Sequence, residues 1–132
     1  TEVASDAEIK ALHRLVDPYA QNDVLADMGA YSDANIQFHQ AIIKAGGNPL
    51  IGEITDSLFF HVRAIRHRTI GDRNRARRSI DDHCQIVAAL ERRDGERAER
   101  LVREHTLKLC DHVACHVDLN ELEPNQNMGG AT

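Results

Sequence analysis

The sequence contains few aromatic residues and no long apolar run. Trp is absent, and aromatic residues make up 4% of the 132 residues. No apolar segment approaches the roughly 20 residues of a membrane-spanning helix, so we expect no membrane contact. A core with so few rings must be built from aliphatic side chains, which suits packed helices.

The cysteines do not show the spacing of a paired motif, and basic residues do not outnumber acidic ones. The three cysteines are odd in number and lack a CxxC spacing, which indicates reduced thiols in a cytoplasmic protein. Sixteen basic residues against 21 acidic ones give a net charge of −5, which argues against nucleic-acid binding by the whole chain. An arginine-rich run between positions 63 and 78 lacks interleaved aromatics, so we interpret it as a solvated surface.

The remaining pattern is helical throughout. Apolar residues recur with the 3.6-residue period of amphipathic helices, and no segment alternates as a strand does. The pattern predicts an all-α, antiparallel bundle of about five to six helices within a domain of residues 1–118, followed by a disordered tail, 119–132. The predicted helices run from Ser5 to about Asn22, from a cap at Asp23 to Ala45, from Leu50 to Thr69, from near Ser79 to Asp94, and from Glu96 to about Val117.

Three histidines occupy positions on these helices where an aliphatic residue is expected. Each lies on the apolar stripe of a different helix: Ile36, His39, Ile42 and Ile43; Ile80, His83, Val87 and Leu90; Leu101, Val102, His105 and Leu109. A buried imidazole needs hydrogen-bond partners on its ring nitrogens. Three in one small bundle indicate a shared metal ion. The alternative is three core histidines bonded to carbonyl groups or to one another.

Asn35 precedes His39 by one helical turn, so both side chains share a face. Three imidazole nitrogens and one amide oxygen would leave coordination positions of a divalent ion open, as in a catalytic or ligand-binding site. We expect zinc, nickel or manganese there. The spacing of the three histidines alone supports both interpretations equally, a metal site and a set of core histidines.

Several motifs occur in an order that resembles a known family. The strings are Asn35-Ile-Gln-Phe-His39-Gln-Ala-Ile, Ala45-Gly-Gly-Asn48-Pro-Leu, Ser79-Ile-Asp-Asp-His83-Cys-Gln-Ile-Val-Ala-Ala-Leu and Arg103-Glu-His105. Together they resemble the ligand-binding domain (FCD, FadR C-terminal) of GntR-type bacterial transcription regulators. The resemblance implies a helical bundle that binds a divalent metal through an acidic residue and three histidines. It also implies a small organic acid bound beside the metal as effector, and a separate N-terminal winged helix-turn-helix domain that binds DNA.

Carried over to this sequence, the resemblance assigns the metal to Asn35, His39, His83 and His105. Asn35 stands where many members carry an aspartate, which should weaken cation affinity. The DNA-binding domain lies outside this chain, so DNA would be contacted only through it. We also expect a homodimer. We do not expect an enzyme, because no nucleophile elbow, phosphate loop or HExxH motif is present.

Further basic side chains are candidates for holding the effector. Guanidinium groups match carboxylates, so Arg63 or Arg66 could pair with the acid, and His61 borders the apolar stripe of the same helix. Two other functions stay open beside the carboxylate sensor. One is a metal-dependent hydrolase or isomerase on a helical bundle, and the other is a ligand-free helical dimerisation module.

Overall fold

The computed structural model describes residues 3–21, 27–69 and 73–116. These residues form five α-helices and no strand, which confirms the predicted all-α bundle. No helix in this part of the chain is both long enough and apolar enough to cross a membrane. The helices are α1 (Asp6–Gln21), α2 (Met28–Ala45), α3 (Pro49–Thr69), α4 (Arg73–Glu91) and α5 (Gly95–His116).

The ends of α2 and α3 are fixed by side-chain caps. Asp27 is the N-cap of α2, and its carboxylate accepts a hydrogen bond of 2.8 Å from the backbone N–H of Ala30. Asp23, the cap predicted from the sequence, lies outside the described residues. Between α2 and α3, Gly47 takes a φ of +72°, and Asn48 Oδ1 accepts from the N–H of Leu50 at 3.1 Å. Local turn and capping preferences of glycine and asparagine therefore determine the connection between α2 and α3.

Helix α4 begins earlier than the sequence pattern predicts. The prediction placed its start near Ser79, whereas the helix begins at Arg73 and encloses Ser79, which is buried. Arginine and alanine favour helices, so the segment before Ser79 needs no cap to continue the helix. Ala76 is buried in the core, and its carbonyl accepts a hydrogen bond from the Tyr31 hydroxyl on α2. Tertiary packing therefore extends α4 through residues that appear polar in the sequence.

The aliphatic core lies where α1, α2, α4 and α5 meet. Helix α4 packs against both α1 and α5, while α2 packs against α1 and α3. On α1, Ile9, Leu12 and Val16 are buried and form the face that packs on the core. The largest side chains with almost no exposure are Phe38, Leu12, Ile86, His83 and Val87.

A histidine outside the core joins the first and fourth helices. His13 Nε2 lies 2.8 Å from the Glu91 carboxylate, and its Nδ1 lies 3.2 Å from Asp17. The hydrogen bond to Asp17 is the main cause that raises the pKa of His13, and Glu91 adds to the effect. This cross-link fixes α1 against the C-terminal end of α4.

Helix α3 carries an exposed apolar stripe on its N-terminal half. Leu50, Ile54 and Leu58 follow one another at helical spacing and are 63%, 55% and 54% exposed, with Ile51 beside them. Isolated exposed apolar residues are normal, but a contiguous stripe marks a surface suited to a protein partner.

Candidate metal centre

The three histidines predicted from the apolar stripes meet inside the bundle. His39 comes from α2, His83 from α4 and His105 from α5. Each offers one ring nitrogen, and these three atoms all lie within 4.8 Å of one another. His83 and His105 are 2% and 8% exposed, whereas His39 is half-buried. Metal ligation needs this kind of convergence from separate elements, although the cluster alone does not assign an ion.

Packing holds the rings of this cluster in place. The Phe38 ring stacks on His83, with centroids 4.2 Å apart and an angle of 29° between planes. The His39 ring lies 5.0 Å from that of His83 and 5.2 Å from that of His105, centroid to centroid. The short turn after α4 makes α4 and α5 an antiparallel pair, which brings His83 and His105 to the same level of the bundle.

Two ring nitrogens of the cluster lie within hydrogen-bond distance of each other. His83 Nε2 lies 3.2 Å from His105 Nε2. Two imidazoles on one tetrahedral ion, with bonds of roughly 2.0–2.1 Å, have their ligand nitrogens about 3.3 Å apart. The same separation allows one ring to donate a hydrogen bond to the other. The distance is therefore compatible with both readings left open by the sequence.

A carboxylate fixes the orientation of His105. Asp82 Oδ2 lies 3.2 Å from His105 Nδ1, and Lys108 Nζ lies 2.9 Å from the other oxygen of Asp82. An ionised carboxylate only accepts hydrogen bonds, so the neutral His105 ring carries its proton on Nδ1. Its Nε2 then keeps a lone pair directed at the cluster. Carboxylate support of this kind is the usual arrangement behind a metal-binding histidine.

Asn35 supplies the observation that tests whether the residues fit a cation. The side chain is 2% exposed, and its Oδ1 is buried with no hydrogen-bond partner among the described residues. Leaving a buried carbonyl oxygen unsatisfied costs about 1–3 kcal/mol. Asn35 precedes His39 by one helical turn, so the two residues share a face of α2. A hard or borderline cation would satisfy this oxygen, so the donor set fits a divalent metal.

The other predicted site residues lie on α3. His61 is exposed on α3. The side chains of Arg63 and Arg66 lie outside the described part of the structure, so their predicted role as effector ligands stays a prediction. His112, one of the remaining histidines, lines a cavity between α4 and α5 that His105 also lines.

The role of Asp82 was missed from the sequence. Asp82 precedes His83, and adjacent residues of a helix point to different faces, so the sequence pattern does not place Asp82 in the cluster. The structure shows that it contacts His105, on the neighbouring helix. An antiparallel α4–α5 pair that aligns His83 with His105 also places Asp82 near residues 105–108, which is the signal that could have identified it.

The cysteines near the cluster are free thiols. Cys84 is half-buried, whereas Cys110 and Cys115 are exposed on α5. Burial is the main cause that raises the pKa of the Cys84 thiol. The described group of side chains whose ligand atoms lie within 4.8 Å of one another consists of His39, His83 and His105 and includes none of these thiols.

Comparison with known proteins identifies the relatives of this chain. The galactonate operon transcriptional repressor of Escherichia coli (strain K12) is 27% identical over 85 residues, which cover 61% of this chain and 37% of the relative. The HTH-type transcriptional repressor NanR of Citrobacter rodentium (strain ICC168) is 29% identical over 107 residues, covering 79% and 40%. The chain thus spans about two fifths of the length of these relatives. No solved structure matches it significantly.

The family model described as the FCD domain matches residues 1–108, which is most of the chain. The match extends from the region before α1 into α5 and therefore includes all four predicted metal ligands. Both relatives named above are transcriptional repressors. The chain belongs to the FCD domain family, the ligand-binding domains of GntR-type transcription regulators.

Proposed function

We propose that this chain is the sensory domain of a transcription regulator and that it binds a small carboxylic acid at a divalent metal held by Asn35, His39, His83 and His105. The observation that carries the proposal is the buried, unpartnered Oδ1 of Asn35 on the helix face that also carries His39. A cluster in which the histidines bond only to one another leaves this oxygen without a partner. A shared cation accounts for all four side chains.

The bound metal would act as a Lewis acid and a template for the acid's carboxylate. The residues of the chain provide the setting for it. His83 and His105 are buried, so water is largely excluded from their side of the site. Three neutral imidazoles and an amide leave the positive charge of the cation uncompensated, which favours an anionic oxygen donor at the open positions. Arg63 and Arg66 on α3, together with His61, are the proposed second partners of the acid.

The arrangement supports sensing over hydrolysis or isomerisation. A metal-dependent enzyme needs a general base within reach of the bound substrate. Glu104 is exposed on α5, and Asp82 is held by His105 and Lys108. Glu104 is therefore a surface carboxylate, and Asp82 orients His105. Binding of the acid would shift the population of domain arrangements, and DNA would be contacted through a separate domain of the cytoplasmic regulator.

A helical dimerisation module without ligand is the second candidate function. The exposed apolar stripe of Leu50, Ile51, Ile54 and Leu58 favours it, because such a stripe suits a helix-to-helix contact. A homodimer is also part of the sensor proposal. The distinguishing property is therefore the metal and not the oligomeric state.

Native mass spectrometry of gently purified chain tests the proposed function. We expect about one divalent ion, such as zinc, nickel or manganese, on each chain, with elemental analysis to identify it. A retained small acid would appear as additional mass on the metal-loaded species, and the same spectra would count the copies in the assembly. A dimer without metal, even after incubation with zinc, would favour the dimerisation module.

Replacing Asn35 with aspartate should tighten metal binding. The substitution changes a neutral oxygen ligand into an anionic one at the same position, and it also removes an amide group from a buried site. The gain should shrink as pH falls towards the titration range of the new carboxyl group, because protons compete with the ion. Calorimetric titration with zinc at two pH values measures this. Equal affinity in both proteins would show that the Asn35 side chain does not contact the ion.

Replacing Asp82 with asparagine should weaken metal binding by about 10–100-fold. Asparagine keeps the shape but loses the charge that holds His105 in the tautomer with a free Nε2. Asp81→Asn is the matched control, because Asp81 is the exposed neighbour on the same helix. If both variants lose affinity equally, general loss of negative charge and not support of His105 explains the effect.

A further inference from the structure

His13 is a histidine outside the proposed metal centre that faces a carboxylate with each of its two ring nitrogens. Nδ1 lies 3.2 Å from Asp17 Oδ1, one turn further along α1, and Nε2 lies 2.8 Å from Glu91 Oε1 on α4. The imidazole is half-buried and is not one of the three clustered histidines. We call His13, Asp17 and Glu91 the α1 latch.

The two contacts of the latch require the protonated form of the ring. An ionised carboxylate only accepts hydrogen bonds, and a neutral imidazole donates through one nitrogen and presents a lone pair at the other. A neutral His13 could therefore donate to Asp17 or to Glu91 but not to both, and its lone pair would face the second carboxylate. The imidazolium ion donates at both nitrogens. The observed arrangement is therefore that of a protonated histidine.

The charges around His13 favour the same form. The hydrogen bond to Asp17 is the main cause that raises the pKa of His13, burial opposes it, and Glu91 adds to the rise. Helix α2, which also packs against α1, adds no charged group that acts on His13 among the described residues. The two ring nitrogens diverge, so one metal ion could not bind both, whereas a proton on each fits the geometry.

The latch spans a turn of α1 that its own sequence weakens. Pro18 lies inside the helix and has no backbone N–H to donate to the preceding turn. Proline also disfavours the helical conformation of the residue before it, which here is Asp17. The helix nevertheless continues to Gln21. The contact between His13 and Asp17 joins the two ends of this turn, and the contact with Glu91 attaches it to α4.

We propose that the α1 latch is a pH-sensitive switch, in which the second half of α1 is held on α4 while His13 is protonated and loosens when His13 loses its proton. Deprotonation removes one of the two contacts at the turn that Pro18 already weakens. Histidine titrates near neutral pH, so the switch operates in a physiological range. It gives the domain a response to protons that does not depend on the metal.

The first half of α1 is attached by a contact that does not titrate in this range. The Arg93 guanidinium, which stays charged, contacts the carboxylate of Asp6 and the backbone carbonyl of Ala4. Loosening is therefore expected to be confined to the part of α1 that follows His13. The buried Leu12 and Val16 keep the helix on the core on either side of the latch.

The direction of the pH effect follows from the raised pKa. A group whose pKa is higher in the folded state than in the unfolded state stabilises the fold at low pH. The contribution of the latch is complete below the ordinary histidine value of 6.5 and is lost as the pH rises through the raised pKa of His13. The second half of α1 should therefore loosen on the alkaline side of this transition.

Tyrosine fluorescence recorded as a function of pH tests the proposal. The chain has no Trp and two tyrosines, Tyr19 in the second half of α1 and Tyr31 on α2, and their rings lie 5.4 Å apart. Burial raises the pKa of Tyr19 above the ordinary value of 10.0, so its ionisation does not contribute near neutral pH. We expect a transition with its midpoint above pH 6.5, at which the environment of this ring pair changes.

Three substitutions assign the transition to the latch. His13→Gln should abolish it, because glutamine does not titrate. Glu91→Gln should move its midpoint to lower pH, because the ring loses one of the groups that favour its charge. Glu99→Gln is the matched control, since Glu99 is an exposed glutamate on α5 outside the latch, and it should leave the midpoint unchanged.

The same variants separate the latch from the other histidines of the chain. A transition that persists in His13→Gln belongs to other side chains, those of the metal centre among them, and would overturn the proposal. A signal that is independent of pH in the unaltered protein, or a midpoint that responds to Glu91→Gln no more than to Glu99→Gln, would overturn it as well.

Discussion

Replacing His83 with alanine should abolish metal binding and the thermal stabilisation that metal provides. His83 is the most buried of the three histidines, and its Nε2 lies 3.2 Å from His105 Nε2. At a free metal concentration about 100-fold above the dissociation constant, binding stabilises the folded state by about 2.7 kcal/mol. For a domain of this size, that corresponds to a rise in Tm of roughly 10 °C. The variant should show almost none of this rise when zinc is added.

The readout is the metal-induced increase in Tm and not the Tm itself. Removing the imidazole leaves a cavity beside the stacked Phe38 ring, which lowers the stability of the metal-free protein as well. His83→Leu provides the second variant, because leucine fills the apolar position without offering a ligand atom. His13→Ala is the control, since His13 lies between α1 and α4 and contacts Asp17 and Glu91, outside the cluster. Equal metal affinity in the unaltered protein and in both His83 variants would show that the assigned site is wrong.

Small carboxylic acids should raise the Tm of the metal-loaded chain strongly and that of the metal-free chain much less. The open coordination positions of a cation held by neutral ligands favour an anionic oxygen donor. At about 100-fold excess over its dissociation constant, a fitting acid should raise the Tm by roughly 10 °C. A thermal-shift screen of mono-, di- and tricarboxylic acids, including sugar acids, measures the effect with and without metal.

The specificity of the screen depends on charge. Amines and neutral sugars lack an anionic oxygen and should leave the Tm unchanged. Arg63→Gln and Arg66→Gln should each be screened, and at least one should reduce the response, because a buried carboxylate needs a second partner besides the metal. Stabilisation by neutral or cationic compounds but not by acids would contradict the carboxylate-sensor proposal and leave the helical fold unaffected.

The sequence by itself determined which segments are helical and that His83 and His105 are buried. Apolar periodicity is a property of one helix, so it indicated from the stripes alone that His83 and His105 are buried, which the structure confirms. The sequence also determines the turn at Gly47 and Asn48, because left-handed backbone and side-chain capping are local preferences. The order of the motifs also indicated the family, which the match over residues 1–108 confirms.

Tertiary structure alone decided which side chains meet between helices. The start of α4 at Arg73 depends on burial of Ala76 against the bundle, which no local pattern around Ser79 reveals. The Asp82–His105 contact depends on how α4 and α5 are rotated about their axes when they pack. Helical periodicity places a residue on one face of its own helix, but only packing determines which residue of another helix that face contacts.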